Sequence, residues 1–165
     1  MITSTICETC RKPKASHQCG LCQTSICKSC GHFVGEESFS FLKKIPSELS
    51  HTVYCNPCFN DKVSEPLSAY KTTMEMAHEV IVFSKDETKK TGHIKRKEEP
   101  YRVEDCEDEG ETVMRLAFFA AQDGFNCLLD VNITHKKIIV GSHKKTVFGG
   151  TAIPVTIEHK RIREY

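Results

Sequence analysis

The sequence predicts two unlike parts in tandem: a small module stabilised by bound metal, then an α+β domain with a β-sheet and one main helix. Three observations predict it. Eight of the ten cysteines fall within the first 58 residues as four CxxC pairs. Residues 107–126 carry Val113, Leu116, Ala117, Ala120 and Ala121 at spacings of three and four, the apolar stripe of a helix. Segments rich in β-branched residues, such as 79–84 and 126–134, lie on both sides of that stripe and read as strands.

A chain of 165 residues with 39% hydrophobic content holds one ordinary domain or two small ones. Its formal net charge of +1 gives no overall attraction to nucleic acid, so any such argument must rest on local clusters. The first residues, MITSTICETCRKPK, lack the apolar core of an export signal. No uninterrupted apolar run reaches the roughly 18 residues that a bilayer span needs. The expectation is a soluble, cytoplasmic protein. A reducing cytoplasm disfavours a disulfide scaffold, which makes metal the better account of the cysteines.

The pairs are Cys7 and Cys10, Cys19 and Cys22, Cys27 and Cys30, Cys55 and Cys58. A CxxC turn sets two sulfurs on one side of a tight knuckle, and four thiolates close a tetrahedral zinc site. Eight therefore make two sites, and the cofactor expected is two zinc ions per chain. A thioredoxin-like redox pair would need a surrounding βαβ pattern that this region lacks. Residues 5–60 offer little periodic apolar sequence, so the ions would replace the core that so short a segment cannot build. Spacing alone leaves open whether the sites use sequential or interleaved pairs.

Residues 63–76 form the expected linker, with Pro66 excluding a central strand. The module is thus placed at 1–62 and the α+β domain at 77–165. Within the latter, EVIVFS (79–84) reads as a buried strand and the charged run 85–100 as a solvated loop or edge. The helix over 107–126 has acidic residues at its start and Gly124 just past its end. NCLLDVNIT (126–134) reads as a strand. Residues 137–157 read as one or two more, with Gly149 and Gly150 at a bend or bulge.

The gaps between the pairs are eight, four and twenty-four residues, and this order resembles the FYVE-type double zinc finger. The resemblance implies a cross-braced fold, with Cys7, Cys10, Cys27 and Cys30 on the first zinc and Cys19, Cys22, Cys55 and Cys58 on the second. RING domains also cross-brace two ions but usually carry a histidine in mid-order. Phosphoinositide binding does not follow from the resemblance. FYVE domains use an N-terminal WxxD, a basic segment before the third ligand and an RVC, whereas this chain has no Trp and reads KASHQCGLC and TVYC. Headgroup recognition needs converging cations, and these are missing. His17 and His32 flank ligand cysteines and read as loop residues, because four thiolates already fill each site. Phe33, Phe39 and Phe41 read as packing over the knuckles.

In the second half, AAQDGFNCLLDVNIT (120–134) and TVFGGTAIPV (146–155) resemble the YbjQ-like family. That resemblance implies a compact α+β domain, a homo-oligomer (a pentamer in that family) and a heavy-metal label. Cys106, Cys127, His135 and His143 lack paired spacing, so a further metal site here is not expected. With no HExxH, phosphate-binding loop, nucleophile elbow or dinucleotide fingerprint, the expectation is a noncatalytic interaction or adaptor protein whose partner is a protein. The enzymatic alternative is a RING-like ubiquitin ligase. Binding to nucleic acid through Arg11, Lys12 and Lys14 together with Lys95–Lys97, Lys136, Lys137, Lys144 and Lys145 is not expected, for want of a recognition helix or stacking motif.

Overall fold

The computed structural model describes residues 5–158; the ends of both expected domains, 1–4 and 159–165, lie outside them. The chain divides into two compact units, one ending at Lys71 and the next beginning at Thr72.

The first unit is built on two minimal hairpins. β1 (His17–Gln18) pairs antiparallel with β2 (Ser25–Ile26), and β3 (His32–Phe33) with β4 (Val53–Tyr54). Strands of two residues carry too few ladder bonds to stand alone, and the core around them is cysteine-rich: Cys7, Cys19, Cys27 and Cys55 are buried with Ile26, Val34, Phe39, Tyr54 and Val63. The Tyr54 hydroxyl donates to the Glu48 carbonyl at 3.0 Å and accepts the His51 N–H at 3.1 Å. Those two bonds fasten the loop that leads into β4. Phe39 is buried with its ring edge-on to Tyr70, 5.4 Å between centroids, while Phe33 is half-exposed.

The expected linker is helical. A short α1 (Asn56–Cys58), a wide turn over Phe59–Val63 and α2 (Ser64–His78) follow without a break. Pro66 lacks the N–H of a helical turn and its ring crowds the preceding one. The wide turn directly before it, where the Ser64 N–H reaches the Phe59 carbonyl, relieves that conflict. Proline excludes a strand here without excluding a helix.

The second unit is a four-stranded sheet in the order β5-β7-β8-β6. β5 (Ile81–Ser84) runs parallel to β7 (Cys127–Val140), and β8 (His143–Val155) is antiparallel to both β7 and β6 (Tyr101–Cys106). Helix α4 (Glu109–Gln122) starts at Asp108, whose side chain accepts the Glu111 N–H at 2.7 Å, an N-cap. Its Leu116, Ala117, Phe118, Ala120 and Ala121 are buried. β6 carried no strand expectation; Arg102, Glu104 and Asp105 are exposed and obscure its alternation.

The bulges lie in the strands beside β8: the β6 bulge faces Gly149 and the β7 bulge faces Ala152. β6 gains a residue between Val103 and Cys106, and β7 gains one between Leu129 and Asn132. Asp105 (φ 57°) and Asp130 (φ 52°) take the left-handed conformation there, which aspartate tolerates better than most residues. Gly149 and Gly150 serve close approach instead. A Cβ at Gly149 would stand 2.9 Å from the Val103 carbonyl oxygen, and one at Gly150 would stand 2.8 Å from Thr112 Cγ2 on α4.

The charged run 85–100 is more ordered than a solvated loop. It contains a short helix α3 (Thr88–Thr91) and is anchored through Arg96. The guanidinium grips both oxygens of Asp130, Nε on Oδ2 at 2.5 Å and Nη2 on Oδ1 at 3.0 Å. Its remaining donors bond to the Thr91 carbonyl, the Ile94 carbonyl and the Thr91 hydroxyl. One side chain thereby binds the run to the β7 bulge through a bidentate pair.

Candidate metal centres

All four CxxC pairs adopt the same turn. The residue after the second cysteine donates its N–H to the carbonyl of the first: Arg11 to Cys7 at 2.8 Å, Gln23 to Cys19 at 2.9 Å, Gly31 to Cys27 at 3.0 Å and Phe59 to Cys55 at 2.9 Å. Arg11 and Gln23 close theirs with positive φ, 58° and 61°. Cys55 closes its turn as the residue capping α1, with Pro57 in the first helical positions, where a missing N–H costs nothing.

The hairpins then decide which knuckles meet. The Glu8 N–H, inside the first knuckle, bonds to the Ser25 carbonyl of β2 at 3.0 Å, and β2 runs directly into Cys27. The Gly20 N–H, inside the second knuckle, bonds to the Val53 carbonyl of β4 at 2.9 Å, and β4 runs directly into Cys55. Each early knuckle is thus tied to the strand that delivers a later one.

The result is two groups of four sulfurs, Cys7, Cys10, Cys27 and Cys30 in one and Cys19, Cys22, Cys55 and Cys58 in the other, every sulfur within 4.8 Å of the rest of its group. The Cys10 and Cys27 sulfurs are 3.8 Å apart, and those of Cys22 and Cys55 3.6 Å. Four sulfurs each about 2.3 Å from a central zinc define a tetrahedron with edges of about 3.8 Å. Each group can hold a metal ion, and the donor set fits zinc.

Thiols this close cannot all ionise alone. Hydrogen bonds from the backbone, led by Cys10, bring the Cys7 thiol down to about 6. The Thr24 hydroxyl, 3.0 Å from the sulfur, does the same for Cys22. Bonding to the Cys27 sulfur pushes Cys30 up to about 12, and burial raises Cys55 and Cys58. A central dication removes that opposition, since it favours the thiolate at all four corners.

No family model, curated protein or solved structure matches the chain. The reading of the centres accordingly rests on their own geometry. His17 packs edge-on against Phe33, 5.1 Å between centroids. His32 stacks on Phe59 at 4.2 Å, with Nε2 2.9 Å from Asn56 Oδ1. Neither joins a sulfur group, but His32 links the strand after the third knuckle to the turn of the fourth. Sequence reasoning missed Asn56 and Thr24; their only signal was adjacency to Cys55 and Cys22.

In the second unit Cys106 and Cys127 are fully buried, in β6 and β7. Burial drives the Cys127 thiol up to about 12 and raises Cys106 as well, the signature of inert core thiols. Among the described residues, neither they nor His135 and His143 belong to a group of potential metal ligands. Among the described residues no helix is long and apolar enough to cross a membrane.

Proposed function

We propose that the chain is a noncatalytic adaptor: a cross-braced, FYVE-like module holding two structural zinc ions, joined to an assembly domain of YbjQ-like type, with a protein as its partner. The observation that carries this reading is the pair of closed four-sulfur groups. Four thiolates complete zinc's tetrahedral shell and leave no position for water or substrate, which is the mark of a structural rather than a catalytic ion. Half-exposed Ile6 and Phe33 give the module apolar surface for a partner.

Elemental analysis of protein purified without chelator tests the first half of the reading, with two zinc ions per chain expected. Retrieval of the same protein partner by wild-type chain, and its loss with a Cys27→Ser variant, tests the second. The interleaved sulfur grouping is also the plan of RING-type ubiquitin ligases. Discharge of ubiquitin from a charged conjugating enzyme would replace the adaptor reading with that one.

A further inference from the structure

The β7–β8 hairpin outruns the rest of its sheet. β5 pairs with β7 only as far as Val131, and β6 pairs with β8 only as far as Phe148. From Lys136 opposite Val147 to Val140 opposite His143, five cross-strand pairs continue as a two-stranded ribbon. It closes in a two-residue turn with Gly141 at φ +62°, the left-handed conformation that favours glycine.

At the ribbon's end Ile139 is 74% and Val140 56% exposed. Four lysines flank them: Lys144 stands directly opposite Ile139 and Lys145 opposite Ile138, while Lys136 and Lys137 lie further from the turn and His143 pairs with Val140. Register puts Lys137 and Lys144 on the same face as Ile139, and Lys136 and Lys145 on the face of Ile138 and Val140. No acidic residue occurs between 131 and 157. Among the described residues, the ion pairs of this collar are Lys136 with Asp105 at 3.5 Å and Lys145 with Glu107 at 4.0 Å. Lys137 and Lys144 have none.

We propose that this tip inserts into the surface of an anionic lipid bilayer, Ile139 and Val140 entering the acyl boundary while the lysine collar meets the headgroups. Exposed apolar side chains at the end of the ribbon, with lysines beside and behind them, suit the apolar interior and anionic headgroups of such a surface. The long lysine stems let their ammonium groups reach back to the headgroup level. A second copy of the ribbon does not fit, because edge-to-edge pairing would bring two sets of four lysines together. A nucleic-acid duplex lying along the ribbon would meet Asp105 and Glu107 at its base, and the tip offers a single ring, His143, with no arginine or amide beside it. A flat surface touched end-on meets neither objection.

The test uses the full-length chain and vesicles of three parts phosphatidylcholine to one part phosphatidylserine, with pure phosphatidylcholine as control. Co-sedimentation with the anionic vesicles only is expected, weakening as salt is added. Replacing Lys137 and Lys144 by Gln should lower the partition coefficient roughly twenty-fivefold, about fivefold per lysine. Replacing Ile139 and Val140 by Ser, both exposed and so without consequence for folding, should lower it by roughly tenfold. The chain has no Trp, so Ile139→Trp supplies a single reporter at the tip. Its emission should shift to the blue on the anionic vesicles. Equal binding to both vesicle types, no binding to either, or an emission maximum that does not move would each overturn the proposal. So would tighter binding to a short DNA duplex that the lysine variant loses and the serine variant keeps. Only residues of the second unit are involved, so these outcomes are independent of whether the sulfur groups bind zinc.

Discussion

Cys22 and Cys55, 33 positions apart in the chain, bring their sulfurs to 3.6 Å. A contact that long in sequence and that short in space requires the intervening segment to fold around it. Chelation should therefore unfold the first unit rather than merely empty it. The expected result is loss of its ordered structure on adding a strong chelator, read by amide exchange at Ile26, Val34 and Tyr54. Protection at Leu116 and Leu128 should persist.

Acid should have the same effect. Against an ordinary thiol's 9.0, Cys7 and Cys22 are lowered to about 6, so their share of stability is held at higher pH and lost as pH falls through that value. Protons then compete with the metal for the same sulfurs. Zinc release, followed with a chromogenic chelator, should increase as pH falls. Release that is independent of pH would contradict this.

Cys27→Ser removes one corner of a group and should unfold the first unit while leaving the circular dichroism of α4 and the sheet largely in place. Cooperative loss of both units would show that they do not fold separately.

Asp130→Asn keeps a residue that accepts the left-handed conformation but removes the charge that Arg96 grips. The pair is only about a fifth exposed (23% and 22%), so the substitution should cost about 2 kcal/mol in denaturant unfolding of the second unit. The Arg96 guanidinium holds the Asp130 carboxyl below the ordinary carboxylate range. Its contribution is therefore present above about pH 4 and lost as pH falls further. In Asp130→Asn that part of the acid dependence should be missing.

Gly150→Ala would press a methyl against Thr112 Cγ2 at 2.8 Å and the Asn132 carbonyl oxygen at 3.2 Å. A loss of about 1 to 3 kcal/mol is expected. Combining it with Thr112→Ser, which removes the nearer obstacle, should recover part of the loss.

The four-sulfur groups were legible as candidate metal centres because CxxC is a local device: sulfur spacing within a knuckle is set by three peptide units. Which knuckles meet was not legible from spacing, because that depends on the Glu8–Ser25 and Gly20–Val53 bonds, made by backbone groups any residue carries. Helix α4 could be read from its stripe and its acidic start. Helix α2 could not, since Pro66 and the polar residues around it look like a connection, and the wide turn that accommodates the proline leaves no pattern in side-chain types. The bulges were misplaced for a related reason. Glycines draw the eye, but the extra residues sit in the neighbouring strands at Asp105 and Asp130, where an aspartate looks like any other surface acid.

The interleaving of the two sulfur groups also sets the order in which they can fill. An ion joining Cys7 and Cys10 to Cys27 and Cys30 closes a loop that already contains Cys19 and Cys22. Only the stretch from Cys30 to Cys55 then remains to be closed. Because closure entropy depends on the length of free chain between the ends, the first ion lowers the cost of binding the second. The saving from closure alone is on the order of a few tenths of a kcal/mol, so the second ion should bind slightly more tightly than it would to a chain with the first group empty.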